Sequence, residues 1–434
     1  PWQGGIMNTA IVGINWGDEG KGRMVDLLSE EYDVVVRYQG GNNAGHTVVN
    51  PKGKFILNLL PSGILRDEVM SVMGPGMVID LKHLSNETAR LREGGVSITP
   101  EKLKISDKAV ICLPYNVQQD ILEEERLKDK KFGSTRRGIG PVYGDKYMKK
   151  TIRMGDLLYT ENLMQKVREL VEWKNLLLGS YGAKADAEEI YEGLLCYGGE
   201  FKDYICDTGA RLLDMEKQGK KIMFEAQLGA LRDIDYGIYP YTSSSNTLAA
   251  YAPIGSGAPS MKLDKVIGIV KAYSSCVGEG PFVCELFGDE AHFLREAGGE
   301  YGAATGRPRR VGGFDAVATA YGVKLQGATE IAITKIDVLS ALDKIPVCVA
   351  YELDGKVING FPYPSLLDKC KPVVEYFDGW KQDISGVKSF DELPENAKKY
   401  LRYLQSRLEA KITYVSVGAV RDQFFKIEDD SLYK

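Results

Sequence analysis

The stretch TAIVGINWGDEGKGRMVDLLSEE, residues 9–31, decides the fold. Residues 9–15 read as an apolar strand, residues 23–31 as an amphipathic helix, and the glycine-rich NWGDEGKG (15–22) joins them. Strand, glycine turn and helix make the opening unit of an open α/β fold. Glycines let backbone N–H groups approach phosphate oxygens, and the following helix N-terminus favours negative charge. Lys21 adds a mobile positive charge. The loop is not a Walker A sequence, because its leading glycine is absent and Gly22 replaces Ser or Thr. With that hydroxyl missing, a carboxylate such as Asp18 must help hold Mg2+.

The same alternation continues outward. Further strands are expected at 33–38, 109–113, 221–225, 265–273, 331–336 and 412–416. Helices are expected at 81–93, 116–128, 161–173, 185–195, 315–321 and 395–409. Apolar runs such as KVIGIV and IAITKID predict a parallel sheet covered on both faces, with ligands beyond the carboxyl ends of its strands. No repeat, low-complexity tract or linker stands out. The charged run at 123–131 reads as a solvated helix end and GSGAP (255–259) as a loop, so composition marks no domain boundary. Length alone suggests two or three domains.

Composition narrows the function. The 55 Lys+Arg and 60 Asp+Glu give a net charge of −5, without the basic excess of a nucleic-acid coat or membrane-surface arm. No apolar run is long enough for a membrane span. Seven cysteines, an odd number without C-x-x-C, predict reduced and mostly buried thiols of a cytosolic protein. Three histidines disfavour a His-rich metal site. Residues 1–6 read as an expression remnant ahead of a start at Met7.

Four further segments carry chemistry. TKID (334–337) resembles a guanine-recognition element: the Asp337 carboxylate can accept from guanine N1–H and its amine, and the Lys335 stem can cover the base. With the phosphate loop it favours GTP over ATP. GGNNAGHT (40–47) follows the second strand, whose end is expected beside that of the first, bringing Asp18 and His46 to the same phosphates. An Asp can take a proton or bind Mg2+, and a His can donate one where charge develops. His83 and His292 read as surface residues. GAATGRPRR (302–310) puts three arginines within four positions, an anion clamp, and GSTRRGIGP (133–141) is a second such loop. The residues alone thus indicate a GTP-dependent enzyme with an anionic substrate.

Taken in order, WGDEGKG, VVVRYQGGNNAGHT, GSTRRGIGPVYGDK, DIDYGIYPYTSSSNT, VGEGPFVCEL, GAATGRPRR and TKIDVL resemble the adenylosuccinate synthetase family over nearly the whole chain from Met7. The resemblance implies one P-loop-NTPase-like α/β domain, 7–434, with a large mostly parallel central sheet flanked by helices and carrying insertions. It implies a cytoplasmic homodimeric ligase of purine biosynthesis that joins IMP and L-aspartate with GTP and Mg2+ through 6-phosphoryl-IMP. Asp18 would then be the general base and a Mg2+ ligand with the Gly45 carbonyl, His46 the general acid, and Lys21 a phosphate contact. GTP would meet Gly17, Asp18, Glu19, Gly20, Lys21, Gly22, Gly45, His46, Thr47, Arg309, Lys335, Ile336, Asp337, Ser416, Val417 and Gly418. IMP would meet Asn43, Thr135, Arg137, Lys149, Gln227, Ser243, Val277 and Arg307. Aspartate would meet Ala303, Ala304, Thr305, Gly306, Arg307 and Arg309.

Three positions depart from the family pattern. Lys149 stands for an arginine that reaches across the dimer to the IMP phosphate, and Ala304 for a threonine. EAQLG (225–229) replaces EGAQG, so Gln227 can face IMP only if the strand bulges. A related ligase of dGMP and aspartate lacks the catalytic aspartate retained here as Asp18. A GTP-binding switch would carry a Ser/Thr-bearing loop and need no dicarboxylate clamp.

Overall fold

The computed structural model describes residues 8–50, 53–302, 306–427 and 432; the leader 1–6, Met7, Ala303, Ala304 and Thr305 lie outside the described residues. Ten strands form the central sheet: β1 (Asn8–Gly13), β2 (Val34–Arg37), β3 (Met70–Met73), β4 (Leu103–Ser106), β5 (Ile205–Cys206), β6 (Ile222–Gly229), β7 (Lys265–Lys271), β8 (Glu330–Thr334), β9 (Lys411–Ser416) and β10 (Phe424–Lys426). Their spatial order is β10-β9-β8-β7-β1-β6-β2-β3-β4-β5. Every pairing is parallel except that of β10 at one edge.

The apolar strands are buried on both faces, as their composition requires. Ala10, Val12, Val34, Val36 and Phe224 pack on one side. Ile11, Val35, Met223, Ile267 and Ile269 pack on the other against Met24 and Val25 of helix α1 (Lys21–Leu28). Fully burying such a side chain contributes roughly 1.5–3 kcal/mol.

Several expectations change. β1 and β2 are not neighbours, because β6 lies between them. Consecutive strands need not pair when a later strand can insert. The strand expected at 109–113 shrinks to Val110–Ile111 and pairs with Val78–Ile79 outside the main sheet. GSGAP is a loop only in part, since its first two residues end the short helix Ala252–Ser256. The run at 123–131 is not wholly solvated: Glu124 is buried and accepts from the Phe132 and Gly133 N–H groups. The longer strands Lys344–Leu353 and Lys371–Asp378 form a separate antiparallel pair that went unread in the sequence.

Candidate active site

The loop after β1 turns on three positive-φ residues, Gly17 (103°), Asp18 (58°) and Gly20 (95°). Gly20 caps α1 without a side-chain hydrogen bond, so the helix N-terminus remains available to an anion. Glu19 holds the loop from within. Its Oε1 accepts from the Asn15 and Gly17 N–H groups at 3.0 and 2.9 Å, and its Oε2 meets Lys21 Nζ at 2.8 Å. The Glu19 side chain is therefore occupied, and only its backbone N–H can serve a phosphate. Asp18 differs: it is about a third exposed and stands 3.4 Å from Arg309.

His46 begins the hairpin strand His46–Asn50, which pairs with Gly53–Leu57. Its ring lies against Gly22, where any added Cβ would overlap the imidazole. That explains the glycine in place of Ser or Thr: the histidine occupies the space a side chain there would need. His46 Nε2 is 2.7 Å from Ser62 Oγ and 3.5 Å from Glu225 Oε1. Burial lowers the imidazole pKa, with the Glu225 carboxylate opposing and Arg37 assisting.

The candidate guanine element and the candidate phosphate loop are physically joined. Thr334 Oγ1, at the end of β8, donates to the Glu19 carbonyl at 2.6 Å. Lys335 has φ 64°, and its Nζ donates to the Gly298 carbonyl at 2.8 Å. Burial lowers the Lys335 pKa and raises that of Asp337. Ile336 and Val417 are fully buried. On the adjacent β9, Ser416 accepts from Arg23 of α1, and its Oγ donates to the Gly418 carbonyl.

The three arginines of 302–310 divide their work rather than forming one clamp. Arg310 is committed to Glu285 through a forked pair and to the Gly280 carbonyl. Arg309 bridges Asp18 and the fully buried Glu300, 3.1 Å from Nη1. Arg307 is largely exposed beyond Gly306, with Glu279 at 3.8 Å. Burial pushes the Glu300 pKa up, yet Lys271 and Tyr273 outweigh it and hold the carboxyl at about 2.

The EAQLG segment carries a bulge. Between Ile11/Gly13 of β1 and Glu225/Gly229 of β6 the register shifts, and Leu228 takes φ 65°. Gln227 thereby faces the second loop: its Oε1 accepts from Gly41 N–H, and its Nε2 donates to the Gly41 and Ala44 carbonyls. Asn58 also donates to Ala44 and leaves no room for a side chain at Gly45. Asn43 accepts from Gly41 N–H, and Thr47 pairs with Ile56.

Thr135, Arg137 and Val277 are exposed and Ser243 is half-buried. Arg232 donates to the Tyr241 and Val277 carbonyls and accepts Ser243 N–H on its own carbonyl. Gly133 packs on Gly278 and Glu279, so these three segments share a neighbourhood. Asp120 holds the 133–138 loop through Ser134 Oγ and Gly138 N–H. Lys149 is exposed and takes φ 63°. His83 is a correction. It is half-buried, with Nε2 3.2 Å from Asn58 and 3.5 Å from Glu87, whereas His292 is exposed.

Sequence reasoning missed Ser62, Glu225, Glu300, Asn58 and Arg37. One signal was present for two of them: a charged residue directly after an apolar run, Glu225 within the strand IMFEAQLG and Arg37 at the end of VVVR.

Candidate phosphate loop, guanine element and acid–base residues gathered at the carboxyl edge of one parallel sheet are the arrangement of a nucleotide-dependent α/β enzyme. The adenylosuccinate synthetase family model matches residues 10–425. Curated adenylosuccinate synthetases of Thermoanaerobacter sp. (strain X514) and Caldanaerobacter subterraneus subsp. tengcongensis are 46% and 44% identical, each covering 96% of this chain. The matches span 99% and 98% of those proteins. The fully ligated Plasmodium falciparum adenylosuccinate synthetase superposes with a TM-score of 0.91 at 37% identity, over 98% of this chain and all of that one. A cyanophage S-2L succinoaminodeoxyadenylate synthetase bound to dGMP and dATP shares the fold, with a TM-score of 0.61 at 19% identity over 99% of this chain and 98% of that one. The chain belongs to the adenylosuccinate synthetase family.

Proposed function

We propose that the protein ligates L-aspartate to IMP at the expense of GTP, giving adenylosuccinate, GDP and phosphate. The observation that carries this reading is the union of three elements. Thr334 ties the guanine element to the phosphate loop, and Arg309 ties the same loop to the segment proposed for aspartate.

The purine 6-oxygen is a poor leaving group, so it must first be phosphorylated. Asp18 would take the N1 proton of IMP, raising negative charge on O6, which attacks the γ-phosphorus as the bond to GDP breaks. His46 would donate to the bridging oxygen as charge develops there, and Lys21 with the loop N–H groups would hold the phosphates. The aspartate amine then attacks C6 and phosphate departs with O6. Arg307 and Arg309 suit the aspartate carboxylates, and Gln227 would orient the loop under IMP.

Mg2+ fits the donor set. Glu19 is occupied, whereas Asp18 offers an exposed carboxylate and Gly45 a carbonyl, few enough for a small cation that keeps water and phosphate ligands. When bound, it would neutralise charge on the phosphates. A cytosolic homodimer, with Lys149 meeting the IMP phosphate of a second subunit, belongs to the same proposal. All seven cysteines are free, four of them buried, which suits a reducing compartment. Among the described residues no helix is long and apolar enough to cross a membrane.

The test is product formation from IMP, L-aspartate, GTP and Mg2+, omitting each in turn and offering dGMP for IMP. Adenylosuccinate is expected only with all four. GTP hydrolysis indifferent to aspartate, or product from dGMP alone, would overturn the proposal.

A further inference from the structure

His46 is held from behind by a chain of two groups that the reaction itself does not call on. Glu225 sits midway along β6, 2% exposed, and both its oxygens accept from one residue. Oε2 accepts the Ser62 backbone N–H at 2.8 Å, and Oε1 accepts the Ser62 hydroxyl at 2.7 Å. Ser62 is itself fully buried, and its Oγ lies 2.7 Å from His46 Nε2. Directions of donation follow without freedom. A carboxylate only accepts, so the Ser62 proton is committed to Glu225, and Ser62 Oγ can only accept from the imidazole. Nε2 therefore carries a hydrogen, and in the neutral ring Nδ1 is the bare nitrogen.

We propose that Glu225, acting through Ser62, is a positioning residue that fixes the orientation of His46 and keeps its Nε2–H engaged, so that Nδ1 is the nitrogen that meets the ligand and the proton given to the bridging oxygen is the second one, carried on Nδ1 of the doubly protonated ring. The proposal deepens the functional reading above and rests on it for the identity of that ligand. The ring has little other freedom. Gly22 abuts its Cδ2–Nε2 edge, and the hairpin fixes its backbone opposite Leu57. The charged groups around it are Glu225 on β6, Arg37 on β2, Glu87 on the helix Leu81–Glu93 and Lys21 on α1. Arg37 is buried with its guanidinium on the Asn58 carbonyl, facing Glu225 as a counter-charge. A carboxylate so placed is otherwise a costly choice for a strand interior.

The geometry gives an asymmetric prediction for Glu225→Gln. The Ser62 backbone N–H can only donate, so the amide oxygen of the new side chain must face it and the NH2 must face Ser62 Oγ. Ser62 then receives a hydrogen bond where it formerly gave one, and its own proton turns to His46 Nε2. The tautomer reverses to Nδ1–H while shape and volume are kept. In the variant Nε2 accepts from Ser62 and cannot keep the engaged N–H that the doubly protonated acid requires, so proton delivery from Nδ1 should slow although the resting ring carries Nδ1–H.

The experiment is 15N-imidazole NMR of the unliganded protein, tractable because the chain has three histidines. The pH is held about two units above the ordinary imidazole value of about 6.5, so that the rings are neutral. Wild type is expected to show His46 as Nε2–H and Glu225→Gln as Nδ1–H. The variant's kcat should fall about 100-fold or more, the contribution of a positioned acid. KM for IMP and GTP should stay within about threefold, since binding is not what changes. Wild-type His46 in the Nδ1–H form overturns the proposal with no variant needed. So does a Glu225→Gln protein that keeps the Nε2–H form and wild-type kcat. The tautomer is read without substrates, so it stands or falls separately from adenylosuccinate formation by the wild type.

Discussion

At the scale of single residues, the site is governed by what glycine permits and what a buried side chain must find. Gly22 has no side chain because the His46 ring fills that space. Restoring a phosphate-loop hydroxyl with Gly22→Ser should therefore displace His46 rather than improve Mg2+ binding. A loss in kcat of about 100-fold is expected, the worth of a positioned acid; steady-state kinetics on the folded variant would check it, and wild-type turnover would refute it. Gln227 presents three hydrogen-bonding contacts to Gly41 and Ala44. Gln227→Ala should raise KM for IMP about tenfold, equivalent to ~1.4 kcal/mol, and change KM for aspartate less. The phosphate loop, the TKID element and the His46 loop were legible because each is contiguous in sequence. Ser62, Glu225 and Glu300 were not, since their partners lie 16, 163 and 9 residues away along the chain. Only folding brings them to the ring or to Arg309.

At the scale of elements, strand ends decide what meets what. Three neighbouring strands, β7, β8 and β9, deliver Lys271, Thr334 and Ser416 at one edge of the sheet. Glu300 gathers Lys271, Tyr273 and Arg309 there. Its carboxyl is held at about 2, below the ordinary 4.5, so the folded state binds fewer protons than the unfolded chain in that interval. Its stabilisation is thus present above about 4.5 and is lost as pH falls toward 2. Glu300→Gln should destabilise the protein at neutral pH by on the order of 3 kcal/mol. It should also flatten the dependence of denaturant stability on pH below the ordinary carboxylate range; an unchanged slope would count against the cluster. Apolar runs announced the strands well, and the helix expected at 81–93 matches Leu81–Glu93. Pairing order did not follow from sequence. Nothing in residues 33–38 indicates that β6, almost two hundred residues later, will separate β2 from β1. The short strands Met70–Met73 and Leu103–Ser106 were missed because four residues carry too little periodicity.

At the scale of the whole molecule, the protein is a ligase built around one mostly parallel sheet, with part of its IMP site proposed to come from a second subunit. Lys149 is exposed, as a residue serving a partner would be. Lys149→Arg restores forked recognition of a phosphate and should tighten IMP binding by about tenfold; unchanged affinity would remove Lys149 from the site. The central claim is chemical: the IMP 6-oxygen leaves as part of phosphate. The most direct measurement uses IMP labelled with 18O at that position and follows the label by mass spectrometry of the released phosphate. One labelled oxygen should appear in phosphate for each adenylosuccinate formed. Label recovered in water, with unlabelled phosphate, would mean that GTP is hydrolysed apart from the ligation, contrary to the chemistry proposed for Asp18 and His46.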